Sequence, residues 1–69
     1  MPSSVIKAAY YRPDEAVLDI LFTTGRRYLY HDVPLDEAER FAAASSKGRY
    51  FNARIRERYA FTEVAGAGT

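Results

Sequence analysis

The absence of cysteine is the feature that most constrains how this chain of 69 residues can fold. Without thiols, neither a disulfide nor a thiolate metal site can stabilise the fold, so a hydrophobic core has to do so alone. A chain of this length buries only about 60% of the surface that its unfolded form exposes. Its hydrophobic content of 48% suffices for one compact core but leaves no room for a deep, water-excluding cavity as well. We therefore expect a single domain that is not an enzyme.

The sequence shows no signal for export or membrane insertion. Residues 1–5 lack the charged region followed by an apolar stretch that is typical of a signal peptide. No apolar run approaches the roughly 20 residues that span a bilayer. We therefore expect a cytoplasmic protein without a membrane partner.

Residues 4–31 show the pattern of an antiparallel β-meander. The three predicted strands run from Val5 to Tyr11, from Ala16 to Phe22 and from Arg27 to His31. The second strand has the clearest pattern, because Leu18, Ile20 and Phe22 fall on every second position and so share one face. Short connections between sequential strands favour antiparallel pairing, which places all three strands in one sheet.

Two short turns connect the predicted strands. The segment Arg12–Glu15 has Pro and Asp at positions that suit a tight turn. Gly25 supplies the positive φ that a hairpin turn requires. In the third strand, Tyr28 and Tyr30 then lie on the same face as the apolar residues of the second strand.

The next segment has the features of a helix, and Pro34 fits its first turn. Acidic residues crowd its N-terminal part, where the helix dipole favours negative charge. The residues predicted to lie on its apolar stripe are Leu35, Ala38, Phe41, Ala42 and Ser45. The residues predicted to lie on its opposite side are Asp36, Glu37 and Arg40.

A second helix is predicted to begin near Ser45 or Ser46, either of which can cap it. Its apolar edge consists of residues spaced by four: Phe51, Ile55 and Tyr59. The segment Tyr59 to Val64 fits either the end of this helix or a short fourth strand.

These elements predict an α+β fold, in which a three-stranded antiparallel meander packs against two helices. The sheet is expected to be covered by Leu35, Phe41, Phe51 and Ile55. The domain is expected to span residues 3–64, and residues 65–69 read as a disordered tail.

Charge is distributed unevenly along the chain, although the net charge is only +1. Residues 1–46 carry five basic and seven acidic side chains, whereas residues 47–69 carry five basic and two acidic ones. This asymmetry indicates an anionic partner for the C-terminal part.

The start of the second helix is the strongest candidate for a binding site. Free backbone N–H groups at a helix start, together with a Ser hydroxyl, favour an anion such as phosphate, and Gly48 would let a ligand approach the backbone closely. Arginine can bind phosphate through two parallel hydrogen bonds, and an aromatic ring can stack on an unpaired base. The residues predicted to contact nucleic acid are Lys47, Arg49, Tyr50, Arg54 and Arg56.

The same residues also have simpler, purely structural interpretations. The serine can be an N-cap only, Gly48 a packing residue, and the arginines a solvated helix face. Tyr28 and Tyr30, next to Arg26 and Arg27, form a second candidate surface for stacking bases. Core tyrosines with their hydroxyls at the rim explain this pair better.

His31 is the only histidine, and Asp32 follows it. With Ser45 or Ser46 this pair resembles a hydrolase triad, but adjacent strand residues point to opposite sides, so Asp32 is badly placed to orient His31. One histidine without cysteine leaves a metal site short of ligands, and no glycine-rich nucleotide loop is present. We expect no catalytic residue, no metal site and no cofactor.

Several short motifs are shared with a known family. They are Ser3-Ser4-Val5-Ile6, Leu18-Asp19-Ile20-Leu21-Phe22 with Gly25, Tyr28-Leu29-Tyr30 with Val33-Pro34, and, most specifically, Ser46-Lys47-Gly48-Arg49-Tyr50-Phe51-Asn52 with Ile55-Arg56 and Tyr59. On these residues the chain resembles the KTSC family. This short domain is named after the C-terminal extension of some lysyl-tRNA synthetases, and it also occurs as small free-standing bacterial proteins.

The resemblance implies a bacterial or phage origin and suggests RNA binding, by association with a tRNA synthetase. It implies no established reaction, cofactor or active site. One hypothesis for the partner is RNA, either tRNA-like or single-stranded, bound through the basic residues. The other is a protein, bound in a homodimer or by docking onto a partner enzyme, with no role for nucleic acid.

Overall fold

The computed structural model describes residues 5–64, which form a four-stranded sheet with two helical segments. The strands are β1 (Ile6–Arg12), β2 (Val17–Phe22), β3 (Arg27–Tyr30) and β4 (Phe61–Glu63). The helical segments are α1 (Leu35–Ala43) and α2 (Lys47–Tyr50), and α2 continues directly into a π-helical turn (Phe51–Ile55). The predicted α+β fold is confirmed. The predicted tail at residues 65–69 lies outside the described residues, as do residues 3 and 4 of the predicted domain.

The sheet is antiparallel throughout, in the order β1-β2-β3-β4. Both predicted turns are present. The N–H of Glu15 donates to the carbonyl of Arg12 at 3.1 Å, and Gly25 adopts a φ of 94° between β2 and β3. The meander therefore follows from turn residues that suit the required backbone conformations.

Strand β4 settles the alternative left open for the segment Tyr59 to Val64. Phe61 pairs with Tyr30, and Thr62 pairs with Leu29, so this segment adds a strand beside β3. Directly opposite residues in antiparallel strands project to the same side of the sheet. The Phe61 side chain therefore lies on the same face as Tyr30.

The core lies between one face of the sheet and the helical segments. On the sheet side it buries Leu18, Ile20 and Tyr30, as the alternation of β2 and β3 predicted. The helical segments contribute Ala38, Phe41, Phe51 and Ile55. We call this side of the sheet the covered face and the other side the open face.

Helix α1 presents a different stripe to the core from the predicted one. Three members of the predicted stripe are exposed: Leu35, Ala42 and Ser45. Leu35 is 55% exposed, so the prediction that it covers the sheet is wrong. The residues that α1 does bury are Glu37, Ala38 and Phe41.

Glu37 explains this rotation of the buried stripe. The sequence pattern placed Glu37 on the opposite side of the helix, yet its side chain is buried. The hydroxyls of Tyr50 and Tyr59 donate to its two carboxylate oxygens at 2.7 and 3.4 Å. A buried carboxylate requires such partners, and they come from the segment that follows α2 as well as from α2 itself.

Helix α2 begins after Ser46, whose hydroxyl accepts a hydrogen bond from the N–H of Arg49 at 3.3 Å. This confirms the predicted cap and selects one of the two candidate serines. The chain then widens into the π-helical turn, where the N–H of Arg56 donates to the carbonyl of Phe51, five residues earlier, at 2.9 Å. The turn buries Phe51 and Ile55, as predicted.

The open face carries an ion-pair cluster centred on Asp19 of β2, whose carboxylate is buried. Nε and Nη2 of Arg27 donate to the two carboxylate oxygens at 2.9 and 2.6 Å. Nη2 of Arg12 adds a longer hydrogen bond of 3.2 Å. Since Arg12 lies on β1 and Arg27 on β3, the carboxylate connects three neighbouring strands.

Replacing Arg27 by Met should destabilise the domain more than replacing Arg12 by Met. Both guanidinium groups are partly exposed, so solvent screening weakens each contribution. We expect Arg27→Met to lower the free energy of unfolding more than Arg12→Met does, because it removes two hydrogen bonds to Asp19 where Arg12→Met removes one longer bond. Urea denaturation at neutral pH measures both values. Equal losses would contradict the view that the bidentate pair is the stronger restraint.

Candidate nucleic-acid interface

Contacts within the domain occupy part of the start of α2 that the sequence suggested as an anion site. The Ser46 hydroxyl already accepts the N–H of Arg49. Gly48 is buried, and a Cβ at this position would lie 3.4 Å from Cγ2 of Val5. Gly48 therefore lies at the contact between α2 and the segment before β1, which agrees with the simpler interpretation as a packing residue.

Tyr50 is held by contacts inside the domain. Its hydroxyl donates to Glu37, and its ring packs edge-on against Phe41 with 6.2 Å between the ring centroids. The hydrogen bond to Glu37 is the main reason that the pKa of Tyr50 is raised above its usual value. The ring is half-buried, so its predicted role in stacking on a base gains no support from its surroundings.

The four basic residues of the predicted site lie on different parts of the surface. Lys47 lies beside β1, and its ammonium donates to the backbone carbonyl of Ala44 at 3.2 Å. Arg54 lies near Tyr50, and its charge partly opposes the rise in the pKa of Tyr50 that the hydrogen bond to Glu37 causes. Arg49 and Arg56 are exposed. None of the four forms an ion pair with a carboxylate among residues 5–64.

A different feature brings aromatic and basic side chains together, and we call it the aromatic groove. It lies on the covered face between the π-helical turn and strands β3 and β4, with a volume of about 670 Å³. Its aromatic lining consists of Phe22, Tyr28, Tyr30, Phe51 and Phe61. Its polar lining consists of Thr23, Thr24, Arg26, Asn52, Arg56 and Glu57, and Val5 completes it. Of the predicted site residues, this groove includes Arg56.

Phe61 is the most accessible ring of the aromatic groove. Its centroid lies 5.2 Å from that of Tyr28 and 5.4 Å from that of Tyr30, and its side chain is 52% exposed. Phe22 packs edge-on against both Tyr28 and Phe51 at 5.4 and 5.3 Å. These separations are typical of favourable aromatic pairs. The rings therefore hold one another in place and form a preorganised aromatic surface that is open to solvent.

Two arginines line the same groove. Nη1 of Arg56 donates to Oδ1 of Asn52 at 3.5 Å. Arg26 forms an exposed ion pair with Glu63 at 3.7 Å. A hydrogen bond with the side chain of Tyr28, followed by the charge of Glu63, raises the pKa of Arg26 above its usual value. Both guanidinium groups carry N–H groups that can donate to an anionic ligand.

The sequence revealed only part of this groove. Arg56 was among the predicted contacts, and Tyr28 belonged to the second candidate surface. The core interpretation of Tyr30 is correct, since only 3% of its surface is exposed. Arg26 also belonged to that second surface, beside Tyr28. Phe61 was missed as a groove residue, because its proximity to these side chains depends on the pairing of β3 with β4. The aromatic and β-branched residues of the segment Tyr59 to Val64 were the one available signal.

His31 bonds to a residue that the sequence did not suggest. Its Nε2 lies 2.9 Å from Oγ1 of Thr62, while Asp32 is exposed. Within residues 5–64, no group of three or more His, Asp or Glu side chains is placed to hold a metal ion. No helix in this part of the chain is long and apolar enough to cross a membrane.

Comparisons with known proteins agree with the resemblance seen in the motifs. A family model described as KTSC domain matches residues 2–59. A protein from Tsukamurella paurometabola is 42% identical over 57 residues, covering 83% of this chain and 85% of that protein. The crystal structure of a KTSC domain protein from Yersinia pestis superposes with a TM-score of 0.83 and 34% identity, covering 93% of this chain and 90% of that one.

A much longer relative is a lysine–tRNA ligase from Nostoc sp. It is 36% identical to this chain over 62 residues. The match covers 90% of this chain but only 11% of the ligase. The chain therefore corresponds to a small part of that enzyme.

The Tyr50→Phe variant tests whether this tyrosine is held by its bond to Glu37. We expect a loss of about 1–2 kcal/mol in the free energy of unfolding, because a charged hydrogen bond disappears and a buried carboxylate loses one donor. Tyr10→Phe is the matched control, since Tyr10 is 66% exposed and should lose less than about 0.5 kcal/mol.

The difference in the free energy of unfolding between the wild type and Tyr50→Phe should also depend on pH, which gives a second test. The raised pKa of Tyr50 means that its contribution to stability is present below the pKa of about 10 in the unfolded chain and is lost as pH rises through the folded value. The gap between the wild type and Tyr50→Phe should therefore shrink above about pH 10. A gap that stays constant up to the alkaline limit of folding would show that the hydroxyl is not bonded to Glu37.

Proposed function

The chain belongs to the KTSC domain family, and we propose that it is a non-catalytic module that binds single-stranded RNA in the aromatic groove. One or two unpaired bases stack on the rings around Phe61, and Arg26 and Arg56 contact the flanking phosphates. The ligand class includes the unpaired loops and ends of folded RNA, such as those of a tRNA.

The observation that carries this proposal is the exposed aromatic surface next to two arginines. Stacking of a base on an aromatic side chain is worth about 1–3 kcal/mol, and it works with any base because each has a π face. Single-stranded RNA is the form whose bases are free to stack on protein rings. The groove volume of about 670 Å³ also lies in the range of sites that accept small ligands or parts of larger ones.

Charge plays a secondary part in this proposal. Arg26 and Arg56 line the groove, but so does Glu57, and Glu63 is paired with Arg26. The net charge of the chain is only +1. Phosphate contacts at two arginines would give a slope of log affinity against log salt of about −1.4, since each contact on a single strand contributes about −0.7.

The relatives support an RNA ligand by association. A lysine–tRNA ligase acts on tRNA, and a segment of one such enzyme is similar to nearly the whole of this chain. This likeness favours RNA over DNA as the probe but does not identify a contact. Among the other predicted contact residues, Arg49 lies three positions before Asn52, which lines the groove. Contact of Arg49, Arg54 or Lys47 with RNA was predicted from the sequence, is not part of the groove proposal, and stays a prediction.

The Phe61→Ala variant tests the stacking surface directly. We expect its affinity for a fluorescein-labelled octauridylate to fall about tenfold, measured by fluorescence anisotropy at 50 mM salt. Tyr10→Ala is the matched control, because Tyr10 is an exposed ring in a strand but lies outside the groove. Thermal melts of both variants verify that they remain folded. Equal losses in the two variants, or no loss in Phe61→Ala, would refute the groove as the site.

The same assay distinguishes the groove from the outer helix surface. Arg26→Gln with Arg56→Gln should bring the salt slope close to zero. Arg54→Gln with Arg58→Gln removes the same charge from exposed residues that do not line the groove, and should leave the slope near its wild-type value. The reverse pattern would place the RNA on the helix surface and not in the groove.

A further inference from the structure

The two edges of the sheet differ in how they are protected from other strands. The β4 edge is only three residues long, and Glu63 at its end is ion-paired with Arg26. The β1 edge is seven residues long. Its charged residues, Lys7 and Arg12, lie near its two ends, whereas Ala8 to Tyr11 carry neither charge nor proline. Short edges, edge charges and bulges are the usual devices against unwanted pairing. In β1 the register with β2 shifts between Ile6 and Ala8, but the stretch from Ala8 to Tyr11 pairs regularly and is uncharged.

The outer side of β1 is accessible to a partner strand. Within residues 5–64, β1 pairs with β2 alone, so alternate backbone N–H and carbonyl groups of its middle point away from the sheet. Residues 7–10 are all exposed. An unpaired strand of this length is a ready template for an additional strand.

A groove runs beside this edge, between β1 and α1. It has a volume of about 230 Å³ and is lined mainly by apolar side chains. Leu18 and Phe41, which are core residues, form part of its lining, together with the small residues Ala38 and Ala42. A strand added to β1 would project every second side chain toward this groove. An edge strand next to a helix is an arrangement that binds extended peptides by strand addition.

The charge of the groove indicates which strand would fit. Among the described residues that line it, the charged side chains are Lys7 and Lys47, and no carboxylate is present. A segment with acidic side chains would neutralise both lysines. Antiparallel pairing with β1 of a second copy would instead bring Lys7 close to Arg12 of that copy, and neighbouring like charges oppose such pairing. Charge therefore favours an acidic segment over self-association.

From these observations we infer that the β1 edge and its groove bind an extended, acidic peptide segment of another protein as a fifth strand of the sheet. Backbone hydrogen bonds with Ala8 to Tyr11 provide the pairing, the groove accepts alternate apolar side chains, and the two lysines select acidic side chains that flank the apolar stretch. This surface is separate from the aromatic groove, so the inference does not depend on RNA binding.

Two synthetic peptides test the inference. One is a fluorescein-labelled nonapeptide, Glu-Glu-Val-Thr-Val-Thr-Val-Glu-Glu, and the other has lysine in place of each glutamate. The acidic peptide should bind at least about tenfold more tightly, because only its charge complements the groove. Ala42→Arg should abolish binding of the acidic peptide by filling the groove. Ala43→Arg is the matched control, since Ala43 is exposed on the same helix but does not line the groove.

Amide hydrogen exchange identifies the mode of binding. The acidic peptide should slow exchange of outward-pointing amides in residues 8–11, and Phe61→Ala should bind the peptide as tightly as the wild type. Equal binding of both peptides, or equal loss in Ala42→Arg and Ala43→Arg, would overturn the inference. Light scattering that shows a dimer of the free protein, dissociated by Ala42→Arg, would assign this edge to a second copy instead.

Discussion

The structure depends on a mismatch in size between its two layers. Helix α1 has nine residues, and α2 with the π-helical turn has four and five, so each helical segment is only about 13 Å long. These segments have to cover a face of four strands. They bury the centre of that face and leave aromatic rings exposed toward β4, next to the π-helical turn. The candidate binding surface is thus the part of the core that the helices do not reach.

Two buried carboxylates fix how the elements are arranged, one between the helical segments and one within the sheet. Glu37 accepts hydroxyls from Tyr50 and Tyr59, which ties α1 to the second helical segment and to the chain leading into β4. Asp19 binds two arginines from the flanking strands. Each carboxylate has polar partners within the fold, and none of the buried side-chain polar atoms among residues 5–64 lacks one. Polar networks of this kind favour one arrangement of a small core over its alternatives.

The sequence predicted the sheet well, because the features that specify strands and tight turns involve residues that are close together in the chain. The alternation of Leu18 with Asp19 and the turn at Gly25 each depend on a few neighbouring residues. The faces of α1 were predicted less well. A glutamate such as Glu37 is predicted to face solvent unless its tyrosine partners, 13 and 22 positions later, are known. Phe61 was missed for the same reason, since its neighbours belong to β3.

The basic residues from Lys47 to Arg56 show why spacing in the sequence alone does not predict a binding site. Its cations are close in sequence, but a helical turn distributes them around its axis, and the π-helical turn changes the angle between successive residues. Lys47 reaches the β1 side while Arg56 reaches the aromatic groove. Basic residues that are neighbours in sequence therefore belong to two separate surfaces.

Intermolecular nuclear Overhauser effects in a complex with oligouridylate test the central claim most directly. If the rings left uncovered by the short helices are the binding surface, ring protons of Phe61 and Tyr28 will show contacts with the uracil H5 and H6 protons. Ring protons of Tyr50 will show none. Contacts confined to Tyr50 and the outer side of α2, with the groove rings silent, would contradict the account.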